Sequence, residues 1–170
     1  MSKRSKVTVI SVVVTKFNVT SATPKEFLSP ALIQLRLRRS VPGKPDVTGT
    51  LNIFIKIGYM TDGASTFWPI SLLVPKWKPD NDDYNAAPVA HDVLYMLAGV
   101  CEGFVLSREE VDDILRGIWR ISGMSRFVAG CADKGVEIFA GGSRHWGNDS
   151  YGVKSKARVV WVEDEPKRIA

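Results

Sequence analysis

Two alternating runs, Leu32–Val41 and Thr48–Tyr59, flank the segment Pro42-Gly43-Lys44-Pro45-Asp46, and they constrain the fold more than any other feature. In the first run Ile33, Leu35, Leu37 and Arg39 fall on one face, and Leu32, Gln34, Arg36 and Arg38 on the other. In the second, Leu51, Ile53, Ile55 and Ile57 share a face. Successive side chains of a strand point to opposite faces, so both runs read as half-buried strands joined by a proline–glycine turn. Val7–Val14 (VTVISVVV) is a third, β-branched strand that Phe17–Val19 extends past Lys16. The first third of the chain is thus expected to be a small antiparallel sheet.

After Asp62-Gly63 the period changes. An apolar, proline-broken connection (Phe67, Trp68, Pro69, Leu72, Leu73, Val74, Pro75, Trp77) is expected to pack on helices. The first helix is expected from Asn85–Pro88 to Gly99, with proline in its first turn, where a missing N–H costs little. The second begins at Ser107, because Ser107 and Glu110 form an S-x-x-E capping box ahead of Val111, Ile114, Leu115 and Ile118, and it stops near Gly123. A third covers about Ser125 to Phe139 and closes at Gly141-Gly142. A glycine-rich aromatic loop, a strand at Ala157–Val162 and a charged end complete the chain. Strands followed by helices make an α+β fold. We expect one domain over 1–170: a flexible basic lead-in (1–6), sheet (7–60), connection (61–84), three helices (85–141), then loop, short strand and tail (142–170).

Nothing in the chain is long enough to span a bilayer. Val7–Val14 follows Lys3, Arg4 and Lys6 like a signal sequence, but it is short, holds Thr8 and Ser11, and lacks a small-residue cleavage site, so it reads as a strand in a cytosolic protein. Cys101 and Cys131 are too few for a disulfide framework or a zinc site and read as reduced thiols. Residues 1–50 carry nine Lys/Arg against Glu26 and Asp46, whereas residues 79–113 carry nine acids against Arg108. That split implies different partners for the two regions, or solvated charge.

The most chemically loaded residues are His91 and Asp92, with Tyr95 one turn later; the chain has only two histidines, the other being His145 in a glycine-rich loop. His91 lies roughly 10 Å from the end of its helix and Asp112 roughly 8 Å from the start of the next, at 1.5 Å per residue. An antiparallel hairpin across residues 99–106 brings them level. Asp112 flanks the apolar stripe of its helix, whereas Asp113 points away. A carboxylate holding an imidazole is how a general base acquires tautomer and orientation. The same groups also suit a buried hydrogen-bond network that only pins a hairpin to a sheet. Tyr95 shares the face of His91, and Asp92 turns back toward the Asp62 bend. Ser65 lacks the surroundings of an activated nucleophile.

The series G-Y-M-T-D-G-A-S (Gly58–Ser65), H-D-x-L-Y (His91–Tyr95) and S-R-x-x-x-D-x-x-L (Ser107–Leu115) resembles the phage- and prophage-encoded DUF1353 family of uncharacterised proteins. The resemblance covers about residues 50–140. This chain departs from the family pattern by Tyr59 for Phe, Phe67-Trp68 before the proline, and Val111 for Ala. It implies a viral origin and a three-part site of Asp62/Ser65, His91/Asp92/Tyr95 and Asp112, but no activity. The His-Asp-x-x-Tyr run is also similar to phospholipase A2-type enzymes, a likeness that implies His91 activating water, Asp112 orienting it, and Asp92 holding Ca²⁺. The glycine-rich calcium loop and disulfides of those enzymes are missing, and Asp62-Gly63 is the only substitute.

Two functions from different classes follow. In one, a metal-assisted hydrolase acts on host envelope material, with His91, Asp112 and Tyr95 catalytic and Asp62 and Asp92 holding Ca²⁺. In the other, a non-catalytic virion or assembly component uses these motifs to lock its fold and docks on other phage proteins through its basic sheet. Its expected location is the host cytoplasm or the virion. Nucleic acid ranks third as a partner, because the basic residues lack aromatic interleaving.

Overall fold

The computed structural model describes residues 4–63, 74–126, 128–129, 146–149 and 152–165. Its main sheet is antiparallel with strand order β1-β3-β4-β8: β1 (Lys6–Val14), β3 (Ala31–Ser40), β4 (Val47–Ile55) and β8 (Ala157–Glu163). Leu35 lies opposite Leu51 and Ile33 opposite Ile53. The alternation therefore places Ile33, Leu35, Leu37, Leu51, Ile53 and Ile55 on one buried face, which β8 extends with Val159 and Trp161. The result is the expected α+β arrangement, with an N-terminal antiparallel sheet, helices and a C-terminal strand.

The second long strand ends earlier than its alternation implies. Gly58 takes a left-handed backbone (φ 79°), Tyr59 N–H closes a turn on the Lys56 carbonyl, and Ile57 is 64% exposed instead of buried. Met60–Thr61 (β5) then pairs with Lys25–Glu26 (β2) in a separate ribbon. Phe17–Val19 does not extend β1. Phe17 is buried with its N–H donated to Asp82, and Val19 makes only an isolated bridge to Phe27.

Helix α1 (Asp82–Met96) starts three residues before the expected position, because the Asn81 side chain accepts from Tyr84 N–H and caps it. Pro88 consequently sits inside the helix, where it removes an i→i−4 hydrogen bond. Helix α2 (Arg108–Ile121) begins at the capping box read from the sequence, with both reciprocal hydrogen bonds made. Between the helices, Val100–Cys101 (β6) and Phe104–Val105 (β7) form a short ribbon that bridges to β8 through Glu102. The third expected helix begins with Ser125 accepting from Val128 and Ala129; its continuation lies outside the described residues, as do Ser65, Phe67-Trp68, Leu72, Leu73, Cys131, Gly141-Gly142 and His145. Among the described residues no helix is long and apolar enough to cross a membrane.

The inner sheet face, both helices, Val74 and Tyr84 join in one buried cluster, with Trp77 packed against it. Charge is buried there too. Glu110 is fully buried and takes two hydrogen bonds from Arg39, at 2.6 and 3.0 Å, and a third from Ser107 N–H at 2.8 Å. Removing one partner of a buried pair strands the other charge. We expect Arg39→Ala to lower the unfolding free energy by about 3–5 kcal/mol in urea titrations, the cost typical of breaking a buried ion pair. A loss below about 1 kcal/mol, the surface-pair range, would mean the pair does not hold α2 to the sheet.

Candidate functional site

The hairpin of α1 and α2 brings His91 and Asp112 together as the helical rises require: His91 Nε2 lies 3.1 Å from Asp112 Oδ1. His91 Nδ1 faces Asp92 Oδ1 at 4.0 Å, beyond hydrogen-bond reach, so Asp112 is the direct partner. The other oxygen of Asp92 accepts from the Thr61 hydroxyl at 2.8 Å, and that hydroxyl itself accepts from Gly63 N–H at 3.0 Å. Asp92 thus turns toward the bend that carries Asp62, through Thr61 and not through Asp62. The network ties β5 to α1 and α1 to α2. It lies just under the surface, the side chains of His91, Asp92 and Asp112 being 10%, 20% and 16% exposed.

Tyr95 meets His91 as a ring, with centroids 5.1 Å apart, and Trp146 stands edge-on to its other neighbourhood at 5.0 Å. Two contributors escaped the sequence reading. Thr61 orients Asp92. Arg108 carries its guanidinium 5.8 Å from the Tyr95 ring centroid, with its Nε buried and unpaired among the described residues. The signal for Arg108 was its spacing, four residues before Asp112 on the same helical face. Asp113 turns from the site, as expected, into a buried contact with β1, accepting from Val7 N–H and from Arg4. Cys101 is buried and its thiol is pushed up to about 12 by burial, so it is not a nucleophile.

Burial alone lowers an imidazole's pKa. Here the hydrogen bond to Asp112, together with the negative charges of Asp92 and Asp112, outweighs it and lifts His91 to about 9. The Asp92 carboxyl is raised because burial outweighs the help of His91 and Thr61, and the charge of Asp62 adds to the effect. At neutral pH His91 is therefore an imidazolium that donates to Asp112. Asp62 and Asp92 offer two carboxylates, and among the described residues no group of three or more His, Cys, Asp or Glu stands ready to hold a metal. A hard cation takes six to eight oxygens, so these two alone do not complete a calcium site.

The family model described as "Protein of unknown function (DUF1353)" matches residues 44–132, from β4 through α2 and the start of the third helix. The chain belongs to the DUF1353 family. No curated protein and no solved structure matches it, so the likeness to phospholipase A2 gains no support there. Every member of the network described above (Thr61, Asp62, His91, Asp92, Tyr95, Arg108, Asp112) lies inside the DUF1353 segment, whereas β1, β3 and β8 lie outside it.

An imidazole whose pKa is higher folded than unfolded stabilises fully below the unfolded value of about 6.5, and that stability is lost as pH rises through about 9. At 1.36 kcal/mol per pH unit, we expect wild type to lose about 3 kcal/mol more than His91→Gln between pH 6 and pH 10 in paired urea titrations. Parallel pH profiles for the two proteins would show that His91 is not held as an imidazolium.

Proposed function

We propose that this DUF1353 protein is a phage-encoded accessory protein that hydrolyses host envelope material at the His91–Asp112 pair. The observation that carries this reading is the 3.1 Å contact between an imidazole on one helix and a carboxylate on the next, close beneath the surface. Asp112 holds Nε2 and so fixes the ring. Nδ1, outside hydrogen-bond distance of Asp92, is left to exchange a proton with water. Tyr95 packs the imidazole from the side. Only the neutral ring accepts a proton, so the rate rises from pH 7 toward pH 9. With purified protein acting on phospholipid vesicles and peptidoglycan, His91→Ala and Asp112→Asn variants that retain their circular dichroism are expected to lose about 10²–10⁴ in rate, the range of general acid–base catalysis. Wild type inert on both substrates, with the variants unfolded, would remove the enzymatic reading.

The calcium-assisted form of this reading puts a cation on Asp92 and Asp62 and needs further oxygens from beyond the described residues. Thermal melts with Ca²⁺ and with EDTA decide it. Bound metal stabilises the folded state by mass action, so the melting temperature rises with Ca²⁺ and falls with EDTA. Coincident melts leave a metal-free His–Asp pair.

A second reading is favoured by one observation: Thr61, Asp92, His91 and Asp112 form a chain of contacts joining β5, α1 and α2. Such a network locks a fold whether or not it catalyses. On this reading the protein is a non-catalytic virion or assembly component whose basic sheet meets another phage protein, in the host cytoplasm or in the particle.

A further inference from the structure

A cavity of about 530 Å³ opens between β1 and α2, on the side of α2 that Asp113 occupies and Asp112 does not. Among the described residues Lys6, Arg116, Arg120 and Arg126 line it, with Asp113 as the one carboxylate. Both oxygens of Asp113 are already engaged: Oδ1 faces Arg4 at 3.1 Å and Arg116 at 3.5 Å, and Oδ2 accepts from Val7 N–H at 3.2 Å. Asp113 therefore organises the wall by holding Arg4, Arg116 and the Val7 N–H. Neither Lys6, Arg120 nor Arg126 meets a carboxylate among the described residues. Val9 and Met124 add apolar surface to the lining, and Gly117 lets α2 close directly on β1, since an added Cβ there would stand 2.4 Å from Val9 Cγ2.

We propose that this cavity binds a phosphate monoester. Like charges converging on one hollow repel one another unless an anion enters. The planar guanidinium presents paired N–H donors that match a phosphate's oxygens bidentately, and Arg120 and Arg126 share this space with the Lys6 ammonium. The volume falls in the range of small-molecule sites, roughly 300–1,000 Å³, which fits a monoester with a compact body better than a polymer. The apolar part of the lining receives that body while the cations hold the head. Nucleotides and lipid phosphates share this chemistry. The site stands apart from the His91–Asp112 pair and does not rest on its role.

The test is titration calorimetry of the full chain at constant ionic strength with phenyl phosphate, inorganic phosphate, AMP and dihexanoyl phosphatidic acid. Phenyl phosphate is expected to bind more tightly than inorganic phosphate. In the Arg120→Glu/Arg126→Glu double variant, whose two positions are exposed, affinity is expected to fall at least about tenfold, the loss of one charge-assisted hydrogen bond. A preference for AMP assigns the nucleotide source, and a preference for the phosphatidic acid assigns the lipid source; either supports the site. No binding by any phosphate, unchanged affinity in the double variant, or benzoate binding as tightly as phenyl phosphate overturns the proposal.

Discussion

Glu110 and Asp113 lie one turn apart on α2, and both carboxylates are buried against strands of the sheet. A buried carboxylate is tolerable only with its hydrogen bonds made, so Arg39 and Ser107 must meet Glu110 while Arg4 and Val7 N–H meet Asp113. These two anchors set the rotation of the helix about its own axis. Asp112, about 100° around from Asp113, then has one direction left and points at α1. The contact with His91 follows from how α2 is fastened to the sheet. The charge asymmetry along the chain acquires a meaning here too. Part of the basic N-terminal segment exists to satisfy acids of α2, and Arg4 and Arg39 are spent in that way.

The partner side is fastened as firmly. Asn81 caps α1, Asn85 bonds both the N–H and the carbonyl of Lys78, and Tyr84 donates its hydroxyl to the Pro75 carbonyl. These bonds seat the helix against the connection that precedes it, and Thr61 holds Asp92 from the ribbon below. An imidazole framed this way moves little. Such rigidity suits a base held ready for a substrate and equally a permanent strut, because preorganisation and structural locking use the same bonds. What separates the two is proton exchange with solvent, and the shallow burial of His91 leaves that open.

Much of this was legible because it rests on local arithmetic. Alternation placed Ile33, Leu35, Leu51 and Ile53 on one face, the S-x-x-E box placed the start of α2, and counting residues from the helix ends brought His91 level with Asp112. What was not legible depends on contacts distant in sequence or on a competing local signal. Asn81 outbid Pro88 for the start of α1, since a side-chain cap satisfies an orphan N–H whereas proline merely avoids creating one. Gly58 cut short a strand whose alternation ran on to Tyr59. Thr61 looked like one turn residue among several, and its bond to Asp92 spans 31 residues. The partners of Glu110 and Asp113 on the N-terminal strands lie 71 and more than 100 residues away, where no periodicity reaches.

One helix therefore carries two chemistries back to back. Asp112 and Arg108, four residues apart, face α1 and its histidine; Asp113, Arg116 and Arg120, at spacings of three and four, face β1 and the basic cavity. The family match divides these faces unequally. The whole His91 network falls within residues 44–132, whereas the cavity needs Lys6 and Val9 of β1 from outside that span. The histidine site thus draws its own side chains from the matched segment, while the anchors that orient α2 (Arg4, Val7 and Arg39) lie outside it. The basic hollow depends on how the N-terminal strand is laid against Gly117, so it joins residues from inside and outside the matched span.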